Sequence, residues 1–300
     1  MDQLAALRSL RRVVELGSFT AAAEALGISH TIVSRQIKQL ETQLGAQLLN
    51  RTTRRFALTA AGQDYYEACR HILDALDDAD RAVGQHQARP SGLLRINAPM
   101  GFGTLEVAQW LPQFLQRYPE LKIDLVCNDR LVDLIEEGFD VGLRLTRDLP
   151  DSTLIARRLA SNRVLLVASP DYLQRHGAPR TPQDLLAHNC LTYTLAARPA
   201  DWTFTGPDGA STTVTVKGSL QANTGIALRT FALAGTGIAT SAAFIVHQDL
   251  KRGDLVQVLP DYTIRPRELY ALYPRNRHLS PKVRVFVDFA AELYAQHDWD

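Results

Sequence analysis

His30, Thr31, Ser34, Arg35 and Lys38 are the residues of this chain whose types and spacing best suit chemistry. The apolar positions Ile32, Val33, Ile37, Leu40 and Leu44 recur around them at helical spacing, which leaves the polar set on other faces of the same helix. Such side chains read the edges of base pairs: a guanidinium or ammonium group suits guanine, and a hydroxyl adapts to several bases. A little further on, Arg51-Thr52-Thr53-Arg54 supplies guanidinium and hydroxyl groups of the kind that hold phosphate oxygens or a neighbouring minor groove. Catalysis is poorly served by comparison. His30, His71, His86, His176, His188, His247, His278 and His297 stand in no nucleophile elbow, phosphate loop or zinc-binding helix pattern. The residues point to recognition of double-stranded DNA, with no enzyme activity, cofactor or metal expected.

Two short helices must position this set. Ser18 is suited to cap a helix whose alanine-rich body, Thr20 to Leu26, stops at Gly27. Ser29 then offers a second cap almost at once, so that the polar helix follows a very tight turn, as in a helix-turn-helix. Residues 2–16 read as an amphipathic helix, with Leu4, Leu7, Leu10, Val13 and Val14 on one side to support the pair from behind. After Gly45, Leu48 and Leu49 lead into a basic, β-branched stretch to Thr59 that reads as a short hairpin, or wing. Charge follows the same division. The whole chain has a formal net charge of +1, yet up to Thr59 the bases Arg8, Arg11, Arg12, Arg35, Lys38, Arg51, Arg54 and Arg55 face only Asp2, Glu15, Glu24 and Glu41. A local positive excess of this kind is the electrostatic footprint of a nucleic-acid-binding module.

Ala21-Ala22-Ala23, Leu26, Ser29, Val33-Ser34-Arg35-Gln36-Ile37, Leu40-Glu41, Leu44-Gly45, Leu48-Leu49, Arg51-Thr52-Thr53-Arg54 and Leu58-Thr59-Ala61-Gly62 together resemble the LysR-type transcriptional regulators. His30 and Thr31 stand where that family often has Gln followed by Pro or Ser, a difference that bears on base preference. The resemblance implies that Ser29 joins His30, Thr31, Ser34, Arg35 and Lys38 at promoter DNA, with Arg51, Thr52, Thr53 and Arg54 alongside.

Residues 60–88 change character to one long helix. Tyr65, Cys69, Ile72, Leu76, Ala79 and Val83 alternate in steps of four and three, as in the seam of a coiled coil. The competing reading is a helix packed on its own domain. In the resembling family this segment is a linker helix that dimerises, which would present two recognition helices to a pseudo-palindromic site. Residues 89–92, rich in Pro and Gly, read as a hinge.

From residue 93 onwards strands and helices alternate. The pattern predicts strands over 93–98, 122–127, 140–144 and 163–168, helices over 102–117 and 131–137, a hairpin formed by 202–204 and 212–216, and a late strand over 267–273 before a closing helix. Either Asn223 or Thr224 caps the helix that runs to Leu233. An open α/β sheet with mostly parallel pairing follows. The fold class expected is therefore an all-α winged helix-turn-helix (1–59) with a long linker helix, followed by a two-subdomain α/β effector domain that resembles periplasmic binding proteins. Subdomain I would comprise 93–162 and 267–300, and subdomain II 163–266. Ligands of open α/β sheets bind outside the carboxyl ends of the strands. Those ends supply Pro99, Met100, Phe102, Asn128, Asp129, Arg144, Thr146, Asn223 and Ser241, with helix starts nearby that favour carboxylates. A small anionic organic effector is the expected ligand.

Cys69, Cys127 and Cys190 are odd in number and widely spaced, which favours buried thiols, with a redox-sensing pair as the alternative. No apolar run approaches the ~20 residues of a membrane span, and a cytoplasmic location is expected. The expected partners are promoter DNA, an effector and further copies of the chain as dimer or tetramer, with RNA polymerase added by the resemblance. A DNA-binding architectural protein without ligand control is the alternative function.

Overall fold

The computed structural model describes residues 2–51, 56–84, 90–130, 132–149, 153–275, 279–295 and 299. Two compact units make up the chain, 1–88 and 89–300. In the first, helix α1 spans Gln3–Leu16, α2 Phe19–Leu26 and α3 His30–Leu44. Each begins at a side-chain cap: Asp2 accepts the Ala5 amide, Ser18 that of Ala21 and Ser29 that of Ile32. Each ends at a left-handed glycine, Gly17, Gly27 or Gly45, the one residue type that takes that conformation without penalty. Leu7, Leu10, Val13, Ala22, Val33, Ile37, Leu40 and Leu48 form the buried core among them.

Strands β1 (Leu49–Arg51) and β2 (Phe56–Leu58) pair antiparallel, Leu49 opposite Leu58 and Arg51 opposite Phe56. This is the expected hairpin, although Thr52, Thr53 and Arg54 at its tip lie outside the described residues. Helix α4 (Ala60–Gly84) follows. Its first turn is pinned by Thr59, whose hydroxyl donates to the Gln47 carbonyl at 2.6 Å and accepts the Gly62 amide at 2.9 Å.

The second unit is built on a mixed sheet of strands β3 (Gly92–Ala98), β4 (Leu121–Cys127), β5 (Val141–Thr146), β6 (Leu154–Ala168), β7 (Cys190–Tyr193), β10 (Gln221–Ala222), β11 (Ile238–Ala242), β12 (Val256–Gln257) and β13 (Ile264–Pro274). The spatial order is β10-β7-β11-β6-β13-β5-β3-β4, with β12 beside β6. Strands β8 (Asp201–Thr205) and β9 (Ser211–Thr215) form the separate hairpin anticipated from sequence. The helices are α5 (Met100–Phe102) running through a π turn at Gly103–Val107 into α6 (Ala108–Arg117), then α7 (Pro170–His176), α8 (Gly225–Leu233), α9 (Ala243–Arg252) and α10 (Pro281–Tyr294).

Pairing corrects the expectation of a mostly parallel sheet. The outer pairs β3–β4, β3–β5, β7–β11 and β7–β10 are parallel, but β5–β13, β13–β6 and β6–β11 are antiparallel. The reason is that β6 and β13 are long strands running in opposite directions through the middle of the sheet, each carrying the chain from one subdomain to the other. The strand expected at 163–168 is accordingly only the second half of β6. The helix expected at 131–137 is replaced by a turn over 134–138, Leu131 lying outside the described residues. Asp133 caps a single helical turn, its carboxylate accepting the amides of Ile135 and Glu136 at 2.8 and 3.1 Å and its carbonyl the amide of Glu137, and Gly138, in the left-handed region at a φ of 65°, ends that turn at once.

One contact makes the first unit sensitive to a single methyl group. A Cβ on Gly62 would lie 2.0 Å from the Leu48 carbonyl oxygen, a backbone atom that cannot step aside. Gly62→Ala is expected to destabilise the first unit by about 1–3 kcal/mol, the usual range for overpacking. Its low-denaturant unfolding transition, followed by circular dichroism, measures this.

Candidate nucleic-acid interface and effector cleft

Helix α3 divides cleanly. Val33, Ile37 and Leu40 are fully buried, whereas His30, Thr31, Arg35 and Lys38 are exposed and Ser34 is half-buried. Positions 31, 34, 35 and 38 fall within three and four residues of one another and so share one stripe of the helix. Ile32, expected on the apolar side, is 37% exposed and borders that stripe, whereas Leu44 shares the side of Ile37 and Leu40 but is 39% exposed in the last turn of the helix. The His30 ring also packs against Phe19 of α2, centroids 5.8 Å apart, which ties the start of the recognition helix to its neighbour. Ser29 has its hydroxyl engaged as the cap. Ser9 in α1 donates to Gln36 at 2.6 Å and fixes the rotation of α3 from behind.

Sequence reasoning gave Glu41 no structural role. Its carboxylate accepts the amides of Leu48 and Leu49, at 2.9 and 3.1 Å, and so fastens the foot of the wing to the end of the recognition helix. Arg51 closes β1 on the same hairpin.

The seam residues of α4 part company. Cys69 is 2% exposed and joins the unit's own core together with Leu73, and Tyr65 packs against the same core. Burial pushes the Cys69 thiol above its ordinary range, which suits a packed, unreactive side chain. Ile72 is 54% exposed and Leu76 half-buried, and Ala79 and Val83 continue the helix. Over its first three turns the helix thus serves its own domain on one side and leaves Ile72 on another.

In the second unit the carboxyl ends of β3, β4 and β5 meet the start of β13 and the end of β7. The Met100 amide donates to Asp129 at 2.9 Å. Asp129 is held above the ordinary carboxylate range by burial, against the pull of that amide and of the Arg267 charge. Arg267 packs over the Tyr193 ring, 5.8 Å from its centroid. Burial and the Arg147 charge lower the Arg267 pKa, with Tyr193 and Asp129 acting the other way. Tyr193 is pushed up to about 12 by burial, with Asp129 contributing. Four charged or polar side chains from both subdomains therefore share one electrostatic environment. A Cβ on Gly101 would touch Ile245 at 3.5 Å and Ile226 at 3.7 Å, so the subdomains already meet at this end of the cleft.

The expected effector residues distribute unevenly about it. Met100, 38% exposed, and Asn223 both stand at the surface. Asn223 is not the helix cap; Thr224 is, accepting the Ile226 amide. Pro99 precedes α5 without a capping bond. Asn128 has a buried Oδ1 with no hydrogen-bond partner among the described residues. Thr146 spends its hydroxyl on the Asp148 carbonyl at 2.7 Å. Arg144 donates to Asn97 and to the Leu143 carbonyl and keeps one buried, unbonded Nη2; burial lowers its pKa. Two placements correct the expectation. Phe102 is fully buried, packed edge-on against Phe244 at 5.3 Å and beside Tyr294 and Trp299, because it follows Met100 round the helix into the core. Ser241 is 4% exposed and bonds to the neighbouring Ala242 carbonyl. Sequence reasoning missed Arg267, Tyr193 and Asn162, whose meeting depends on the crossing strands.

Among the described residues, no group of three or more His, Cys, Asp or Glu side chains is placed to hold a metal ion. No described helix is long and apolar enough to cross a membrane.

A helix-turn-helix with a wing, followed by a two-subdomain α/β unit with a polar cleft, defines a ligand-binding class of DNA-binding regulator. Residues 4–63 match the family described as bacterial regulatory helix-turn-helix protein, lysR family, and residues 87–295 match the LysR substrate binding domain. The chain belongs to the LysR family of transcriptional regulators; these are DNA-binding proteins and not enzymes. An uncharacterized HTH-type transcriptional regulator of Haemophilus influenzae is 38% identical over 287 residues, covering 94% of this chain and 98% of its own. The HTH-type transcriptional regulator DmlR of Escherichia coli is 36% identical, covering 99% of this chain and 97% of its own. Among solved structures, CrgA of Neisseria meningitidis, a LysR-type transcriptional regulator, superposes with a TM-score of 0.64 at 32% identity, covering 97% of this chain and 99% of its own.

The Glu41 anchor yields a direct test. Glu41→Ala leaves two backbone amides at the foot of the wing without their acceptor, a loss of about 1–3 kcal/mol. Denaturant unfolding should register that loss, and fluorescence anisotropy with a labelled operator duplex should register weaker binding through the loosened wing.

Proposed function

We propose that this regulator reads a pseudo-palindromic promoter site as a homodimer or homotetramer and answers to a small anionic organic effector. The observation that carries the reading is the division of α3, with Val33, Ile37 and Leu40 spent on the core and Thr31, Ser34, Arg35 and Lys38 on the opposite stripe. In the major groove His30, Thr31, Ser34, Arg35 and Lys38 would meet base edges, with Ser29 setting the helix start. Arg51, Thr52, Thr53 and Arg54 would hold phosphates or the adjoining minor groove. Ile72 and Leu76, continued by Ala79 and Val83, are the positions of α4 that suit a partner helix, since Cys69 and Tyr65 are occupied at home.

For the effector, the supporting feature is the cationic character of the cleft at Arg267 and Arg147, met by Asp129 alone among the acids that act on Arg267. Control of transcription follows when the effector prefers one arrangement of the two subdomains over another. A cytoplasmic location and contact with RNA polymerase accord with this role. The cleft argues against a purely architectural DNA protein, and footprinting upstream of the chain's own gene with and without organic acids separates the two: an unchanged footprint with every acid favours the architectural reading.

The DNA contacts have distinct signatures. Arg35→Ala should lower affinity for the specific site by about 1–3 kcal/mol while sparing random duplex. Arg54→Ala should weaken both alike and reduce the salt slope by about 1. Titrations of both duplexes at several salt concentrations decide the matter, and equal losses with unchanged slopes in both variants overturn the assignments.

A further inference from the structure

Arg267 of β13 lies directly opposite Asn162 of β6 in the central ladder. Residues paired in this way point to the same side of a sheet, with Cβ atoms about 5 Å apart. The neighbouring pair, Ser161 and Glu268, points to the other side, where Ser161 donates to Glu268 at 2.9 Å and Arg158 joins them at the surface. Arg267, half-buried, and Asn162 therefore share the opposite face of the sheet.

Asn162 is fully buried. Its Oδ1 accepts the Ala243 amide at 3.1 Å, at the first turn of α9, and this fixes which way the side-chain amide is turned. The Nδ2 group consequently points the other way, and it has no acceptor among the described residues. Arg267 forms no hydrogen bond or ion pair among the described residues; the Tyr193 ring lies against it and the Asp129 charge acts on it from nearby. A buried donor and a half-buried guanidinium thus share one face of neighbouring strands without an acceptor among the described residues, and an anion would satisfy both.

We infer that Arg267 and Asn162 form an oxyanion subsite at the floor of the cleft, and that the effector is held there by a carboxylate. The inference rests on the effector reading given above and names the groups that would hold the ligand's charge. A carboxylate presents two oxygens in one plane, one for the guanidinium and one for the amide. Phosphate fits less well, because Asp129 sets a negative charge near Arg267 and opposes a dianion more strongly than a monoanion.

Acetate is a sufficient probe, being small enough for any carboxylate subsite. Thermal unfolding of the full chain is followed as sodium acetate replaces sodium chloride at constant ionic strength, with inorganic phosphate in a parallel series. Wild type should gain a saturable rise in Tm with acetate, by mass action on the folded state, and a smaller one or none with phosphate. Arg267→Gln should lose the acetate increment. Asn162→Asp should lose it too, while keeping the acceptor for the Ala243 amide and placing a built-in carboxylate beside Arg267. A cooperative melt of each variant in chloride, with a wild-type circular dichroism spectrum, shows that a lost response is not a failure to fold. An equal acetate rise in wild type and both variants overturns the subsite and leaves the anionic-effector reading standing. No rise in wild type overturns both, and a rise with phosphate alone overturns the carboxylate.

Discussion

The antiparallel ladder between β6 and β13 is the constraint on which the second unit depends. On one side β13 passes the sheet to β5, β3 and β4; on the other β6 passes it to β11, β7 and β10. Every backbone hydrogen bond linking the two subdomains' strands into one sheet runs through these two strands. The register shifts between the pairs of Ile264 and Arg267, and again between those of Leu269 and Tyr270. Such irregularities increase local twist and re-aim side chains, and here they bracket Arg267. The position is neither in the apolar core of a subdomain nor on the outer surface, and this explains how a guanidinium comes to be kept there.

The first unit solves a different problem with local means. A helix that must show a polar stripe to DNA has only its other side for packing, and Val33, Ile37 and Leu40 use it fully. Orientation is then set by a few polar ties at its two ends and back: the Ser29 cap, the Ser9–Gln36 bond and the Glu41 carboxylate under the wing. Each is satisfied within the unit, so the exposed arginine and lysine are not drawn into holding the fold.

The same contrast explains what was legible in the sequence. Helices α1 to α3 could be read almost to the residue because their signals are local, a capping side chain at one end and a glycine at the other. The first half of β6 could not: Arg157 and Arg158 are exposed there, and only pairing with β13 makes the segment a strand. Residues 131–137 carry a helix-like pattern, but Gly138, in the left-handed region, stops the segment after the one turn that Asp133 caps. On α4 the heptad-like spacing is present in the sequence, yet spacing alone does not say which neighbour a stripe meets, and Cys69 and Tyr65 meet their own domain. The rule of strand ends named Met100, Asn128 and Asn223 as candidates. It missed Arg267 and Asn162, because their significance arises from a register between strands far apart in the chain.

A charge at the floor has a consequence for signalling. Strands β6 and β13 belong to both subdomains, so an anion between Asn162 and Arg267 makes nearly the same contacts whether the walls are near or apart. Such an anion supplies affinity but little preference between arrangements, and a ligand without preference shifts no equilibrium. Preference must come from the walls: Asp129 and Met100 on one side, Tyr193 and Asn223 on the other. Gly101 already approaches Ile226 and Ile245 at one end, which limits how far the walls can still travel there. On this reading the carboxylate determines that an effector binds, and the remainder of the molecule, reaching from Asp129 towards Tyr193, determines whether binding is felt at the DNA.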